Sequence, residues 1–271
     1  MSVCCVLVVV LSWSSWAAAQ DNVATIIQRS VEANNRDWGA APKFDYSERD
    51  RDKDGNGNKT YAVTMLYGTP YERLIEVNGR PLSPEKQREE QKKYDDAVRE
   101  RKNEPAAKRA ARIAKYEADR KRDHTLLDQL TKAFDFKLAG DQELKGRKVY
   151  VLKATPRKGY RPPNRDSRVL TGMEGTLWID HETYQWVKVE AHVMHPVRIE
   201  GFFAEVEPGT EFELEKVAVS GDVWLATHFA MKANARVMML FPHRSQEDIA
   251  YFDYHQGSDA APEKKRSNTG D

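Results

Sequence analysis

Alternation of apolar and polar residues dominates the second half of the chain. Val187, Val189 and Val193 alternate with Lys188 and Glu190. A period of two gives a β-strand one apolar and one polar face, so such segments predict strands. Turn residues separate the segments, which is typical of an antiparallel meander. The predicted strands cover residues 44–49, 59–67, 71–77, 147–154, 175–180, 185–193, 197–206, 211–219, 223–231, 235–241 and 248–255.

Helical spacing is found near the start of the chain. Val23, Ile26 and Ile27 form an apolar stripe, which predicts a short amphipathic helix capped by Asp21 and ending near Asn34. A helix with one apolar stripe packs that stripe against another element. We therefore expect this helix to lie on the sheet.

Residues 83–123 form a long charged segment dominated by Lys, Arg, Glu, Gln and Ala. Ser83 followed by Pro84 is a helix start, and Pro105 interrupts the run. Two helices, or one kinked helix, are predicted there, mostly in contact with solvent. Beyond Pro105 the segment is basic, which suits a solvated face or contact with an acidic partner or an anionic membrane surface.

The elements predict an α+β fold that is mainly antiparallel β. A sheet of about ten strands curls instead of staying flat, so we expect a curved open half-barrel covered by helices. One domain is predicted over residues 20–256, with 83–123 as a charged helical insertion. Residues 257–271 are polar and predict a disordered tail.

The N-terminus resembles a secretory signal peptide. Residues 3–11 are apolar, and the small residues Ala17–Ala19 follow, so cleavage is predicted near Ala19. No Lys or Arg precedes the apolar run, and a retained membrane anchor is the alternative. About 9 strongly apolar residues are too few for that, since a spanning helix needs about 20. Cys4 and Cys5 would be lost on cleavage, leaving no cysteine in the mature chain.

The candidate chemistry of the chain is sparse. A formal net charge of +1 does not favour binding to nucleic acid. Asp50 opens a D-x-D-x-D-G sequence like that of a calcium loop, but Tyr61 occupies the position of the bidentate Glu. His192 and His195 fall on opposite faces of a predicted strand. No nucleophile or phosphate-binding motif is present. We therefore predict that the chain is not an enzyme and that it uses no metal or cofactor.

The apolar sheet face offers a candidate ligand cavity. A curved sheet has a concave apolar face that helices must cover, and incomplete cover leaves a pocket. Ordinary core packing explains the same residues equally well, so both interpretations stay open. The candidate ligand-binding residues are Leu177, Ile179, Val187, Val189, Phe202, Phe212, Leu214 and Phe229.

Four stretches resemble a known superfamily of exported bacterial proteins. They are residues 71–85, 146–156, 175–180 and 221–225, which mark strands and turns. The chain resembles the outer-membrane lipoprotein-sorting superfamily of LolA, LolB and the N-terminal domain of RseB. This resemblance implies a periplasmic half-barrel that holds acyl chains. The long charged insertion at 83–123 departs from the compact carriers.

The expected function is therefore that of an exported periplasmic protein. On this hypothesis, a lipid, an acyl chain or a lipidated partner binds on the concave apolar face. The alternative is a protein–protein interaction or envelope-sensing module that uses the charged insertion and has no ligand cavity. Its partner would be an envelope protein or an anionic membrane surface.

Overall fold

The structure is a computed structural model that describes residues 22–51, 57–199, 204–237 and 241–257. The predicted signal peptide, residues 52–56 of the calcium-like loop, Phe202 and nearly all of the predicted tail lie outside these ranges. The helices are α1 (Val23–Ala40), α2 (Pro84–Asn103) and α3 (Ala106–Ala133). The strands are β1 (Phe44–Asp50), β2 (Lys59–Leu66), β3 (Thr69–Val77), β4 (Arg80–Pro81), β5 (Phe134–Leu144), β6 (Arg147–Pro156), β7 (Met173–Asp180), β8 (Trp186–Val193), β9 (Val197–Arg198), β10 (Ala204–Val206), β11 (Glu211–Ser220), β12 (Val223–Val237) and β13 (Phe241–Gln256).

The described strands form one antiparallel sheet of 13 strands. Its order is β4-β3-β2-β1-β13-β12-β11-β8-β7-β6-β5, with β10 paired to β12 and β9 paired to β10. The two ends of this path, β4 and β5, do not pair with each other within the described residues, so the sheet is open. The predicted α+β fold with an open antiparallel sheet is confirmed. The pairing of β1 with β13 brings the two ends of the domain together inside the sheet.

Several element boundaries differ from the predictions. Helix α1 continues past Asn34 to Ala40, because Asn34 and Asp37 face the sheet and are buried. Residues 223–237 form one long strand, since no Gly or Pro interrupts them. The segment predicted as a strand at 197–206 holds only the short strands β9 and β10, on either side of residues outside the described ranges.

The larger core lies on the sheet face that is covered by helices. Ile26 and Ile27 of α1 and Ala133 of α3 pack there against buried strand residues such as Leu152 and Ile179. A 3-10 helix at Asp166–Gly172 contributes further cover. Within the described residues, no helix is long and apolar enough to cross a membrane.

The helical insertion is fixed to the sheet at its bend. The Arg101 guanidinium donates to the Leu66 carbonyl at 3.0 Å, and Arg112 donates to the Tyr67 carbonyl at 3.1 Å. Arg112 also forms an ion pair with Glu104, which precedes α3. The insertion is therefore docked on the turn between β2 and β3, although no residue of α2 is buried.

Candidate functional site

Three of the predicted ligand-binding residues belong to the closed core. Leu177 and Val189 are 5% and 6% exposed, and Ile179 is fully buried. They pack together with Ile26 and Ile27 of α1. Side chains covered in this way hold the helix on the sheet and present no surface to a ligand.

Val187 packs in a different cluster from Leu177 and Val189. A bulge between β7 and β8 pairs Trp178 with Lys188 but Ile179 with Trp186, which leaves Val187 as the extra residue. It packs with Val149 and Trp224 in a second, smaller cluster. Period-two alternation predicted one face for Val187 and Val189, and the bulge makes that assignment wrong. Phe202 lies outside the described residues.

The other three predicted residues, Phe212, Leu214 and Phe229, are neighbours on β11 and β12. Leu214 lies opposite Phe229, and the rings of Phe212 and Phe229 meet edge to face at 5.4 Å. All three are half-buried, and Phe212 and Leu214 pack against the core beneath α1. They therefore lie on the helix-covered side of the sheet without being sealed into the core.

The same side of the sheet continues across β13 and β1. Ile249 lies opposite Phe229, Met231 lies opposite Phe212, and Glu48 lies opposite Tyr251. Paired residues of antiparallel strands share a face, so these side chains form one continuous surface. We call it the trough. Its apolar end is Phe212, Leu214, Phe229, Met231 and Ile249, and its polar end is Tyr46, Glu48, Tyr251 and Tyr254, all half-buried.

The polar end of the trough is built from three tyrosines and a carboxyl group. The ring of Tyr46 lies 5.9 Å from that of Tyr251 and 5.3 Å from that of Tyr254. The Tyr254 hydroxyl donates to the Ala226 carbonyl at 2.7 Å. Burial raises the pKa of Tyr46 and of Tyr251 above the usual range, so both hydroxyls are protonated at neutral pH.

Glu48 is poised between its two protonation states. Burial is the main cause that raises its pKa to about 7, and the carboxylates of Glu72 and Asp50 add to the shift. A carboxyl group with this pKa can both donate and accept hydrogen bonds near neutral pH. The sequence alternation in β1 gave no sign of this, because the burial comes from strands that are distant in sequence.

A buried polar cluster links α1 to the sheet next to the trough. The Lys216 ammonium lies 2.5 Å from Asp37 Oδ2 and 2.9 Å from Asn34 Oδ1. Asp37 Oδ1 accepts from the Trp224 backbone N–H at 3.0 Å and from Gln185 Nε2 at 3.1 Å. Burial lowers the pKa of Lys216, and the Asp37 carboxylate opposes that shift. This cluster fixes α1 in place and is not a ligand site.

Metal binding has no support in the part of the chain that is described. No group of three or more His, Cys, Asp or Glu residues is arranged there to hold a metal ion. The trough itself presents aliphatic, aromatic, hydroxyl and carboxyl groups. Such a surface can bind an apolar chain and form hydrogen bonds with a polar group attached to it.

The comparisons with known proteins found similarity to solved structures but to no family model or curated protein. A putative outer membrane lipoprotein-sorting protein domain from Vibrio parahaemolyticus is 12% identical, with a TM-score of 0.29, over 88% of this chain and 95% of that one. A LolA superfamily protein from Nitrosomonas europaea is also 12% identical, with a TM-score of 0.32, over 90% and 97%.

A third similar structure is the MucA/MucB complex of Pseudomonas aeruginosa. It is 10% identical, with a TM-score of 0.25, over 84% of this chain and 99% of that one. The first two of these structures carry names of the superfamily that the sequence stretches resemble. Such low identities and TM-scores say nothing about what this chain binds, which has to be inferred from its own side chains.

Sequence alternation identified only part of the trough. It found Phe212, Leu214 and Phe229 but missed Met231, Ile249 and the tyrosines of the polar end. Ile249 and Tyr251 do alternate in β13, and Tyr46 and Glu48 alternate in β1. That signal was present, but the pairing of β13 with both β1 and β12 was needed to show that these residues adjoin.

Proposed function

We propose that this chain is a non-catalytic binding protein that holds the apolar chain of an amphiphile in the trough. The bound molecule would be a lipid, or the acyl chain of a lipidated partner. Export by the predicted signal peptide would place this activity in the periplasm. The observation that carries the proposal is the continuous row of half-buried apolar side chains from β11 to β13.

The physical reason is the incomplete burial of large apolar groups. Among the described residues, Met194 and Val217 are the large hydrophobic side chains that are exposed, at 50% and 43%, and they are not neighbours in sequence. The apolar end of the trough instead gathers five large apolar residues that are half-buried and lie side by side. A contiguous apolar surface of this kind marks ligand grooves and binding surfaces, and covering it with a hydrocarbon chain removes it from water.

Replacing Phe229 by glutamate is expected to weaken binding of the neutral fluorescent probe N-phenyl-1-naphthylamine at least about tenfold, because a carboxylate cannot be covered by hydrocarbon without a large desolvation cost. The measurement is a fluorescence titration of purified protein. Val217→Glu is the matched control, because Val217 is already 43% exposed and alternates with the trough residues of β11. Equal affinity for the probe in the two variants would contradict the proposal.

A second candidate function is partner binding through the insertion. It is favoured by α2, which extends over 20 residues without burying any of them although the bend after it is docked. Lys86 and Lys92 are exposed on this helix. If α2 is the functional surface, Lys86→Glu with Lys92→Glu abolishes capture of the envelope partner and leaves probe binding in the trough unchanged.

A further inference from the structure

The polar end of the trough carries hydrogen-bonding groups that the protein itself does not use. In the described residues, the hydroxyls of Tyr46 and Tyr251 have no hydrogen-bond partner, and the Glu48 carboxyl group has neither a hydrogen bond nor an ion pair. None of these oxygens is fully shielded from solvent. Groups that are half-buried, accessible and unpaired are available to a ligand.

These groups adjoin the apolar end of the trough directly. Tyr251 follows Ile249 on the same face of β13, and Glu48 lies opposite Tyr251 on β1. From Leu214 on β11 there are three strand spacings to Asp50 on β1, and Glu48 lies two residues further along β1, so Leu214 and Glu48 are about 16 Å apart. This is the extent of a medium-length alkyl chain, so one amphiphile can cover both ends at once.

Carboxyl groups surround the polar end of the trough and make its electrostatic field negative. Burial is the main cause that raises the pKa of Tyr251, and nearby carboxylates raise it further. They belong to Glu48, Glu247, Asp50 and Glu72. Lys59 on β2 lies opposite Asp50. An anionic head group placed beside Glu48 would therefore meet several like charges, whereas a hydrogen-bond donor would meet acceptors.

We propose that the amphiphile held in the trough has a head group that donates hydrogen bonds and carries no negative charge. Hydroxyl groups or an amine fit this description, and a carboxylate or phosphate does not. The tail lies over Phe229 and Ile249, and the head group bonds to Glu48 and to the Tyr46 and Tyr251 hydroxyls. This inference rests on the proposed function and specifies the class of ligand at the same site.

Three ligands with equal chains test the head-group preference. Laurate, 1-monolauroylglycerol and dodecylamine compete with N-phenyl-1-naphthylamine for the full-length protein at pH 7.5. Monolauroylglycerol and dodecylamine are expected to displace the probe at concentrations about tenfold lower than laurate. Glu48→Gln is expected to reduce the difference between dodecylamine and laurate. Glu213→Gln, which lies on the opposite face of β11, is expected to leave it unchanged.

The outcomes separate this inference from the proposed function. Displacement by laurate at equal or lower concentrations, or an unchanged preference in Glu48→Gln, would overturn the head-group assignment while leaving the trough as the binding site. Failure of the probe and of all three ligands to bind the parent protein would overturn the proposed function and this inference together.

Discussion

Replacing Asp37 by alanine is expected to lower the free energy of unfolding by about 3 to 5 kcal/mol, because it leaves a buried ammonium without its counter-ion. Asp37 is 3% exposed, and Lys216 is 8% exposed. The substitution also removes the acceptor of the Trp224 backbone N–H and one of the two acceptors of Gln185 Nε2. Urea unfolding measures the loss directly, and a fall in Tm of roughly 10 °C is the thermal counterpart.

Two further variants give this prediction its controls. Glu100→Ala removes one partner of the exposed Lys108–Glu100 ion pair and is expected to leave Tm unchanged. Asp37→Leu combined with Lys216→Met replaces the buried pair by apolar groups and is expected to recover much of the lost stability. A loss in Asp37→Ala no greater than that in Glu100→Ala would show that this cluster does not fix α1 to the sheet.

Truncation of two isoleucines is expected to separate the core from the binding surface. Ile179→Ala removes a fully buried side chain, so the free energy of unfolding should fall by about 3 kcal/mol while probe affinity hardly changes. Ile249→Ala removes a half-buried side chain of the trough, so the stability loss should be about 1 kcal/mol. Its probe affinity should fall about tenfold, because contact with the ligand is lost.

Urea unfolding and probe titration of both variants provide the measurement. The two substitutions delete the same atoms, so differences between them report on position alone. We expect Ile179→Ala to cause the larger loss of stability and Ile249→Ala to cause the larger loss of probe affinity. A larger loss of affinity in Ile179→Ala than in Ile249→Ala would place the ligand in the interior beneath α1 and not in the trough.

Much of the fold could be predicted from local patterns. Period-two alternation predicted most strands, and the Ser83-Pro84 start and Pro105 predicted the two helices of the insertion. These features depend on residues within a few positions of each other, which is why one sequence suffices. The continuity of residues 223–237 was missed, although neither Gly nor Pro interrupts them and apolar residues alternate with polar ones from Met231 to Val237.

The candidate site was harder to predict because it depends on contacts between distant residues. Alternation assigned Leu177, Val187 and Phe229 to one face but could not tell which would be covered by α1. The bulge that moves Val187 into the second cluster leaves no mark in the sequence pattern. Glu48 and Tyr251 are about two hundred residues apart, and only the pairing of β1 with β13 brings them together.

Photo-crosslinking with a monolauroylglycerol analogue that carries a diazirine at the end of its chain shows whether the hydrocarbon chain lies in the trough. The label reports which side chains surround the hydrocarbon in the full-length protein. We expect labelling of the β11, β12 and β13 peptides that contain Phe212, Phe229 and Ile249, with loss of label when unmodified monolauroylglycerol is in excess. Competed labelling confined to α2, or to the β7 peptide that contains Ile179, would contradict it.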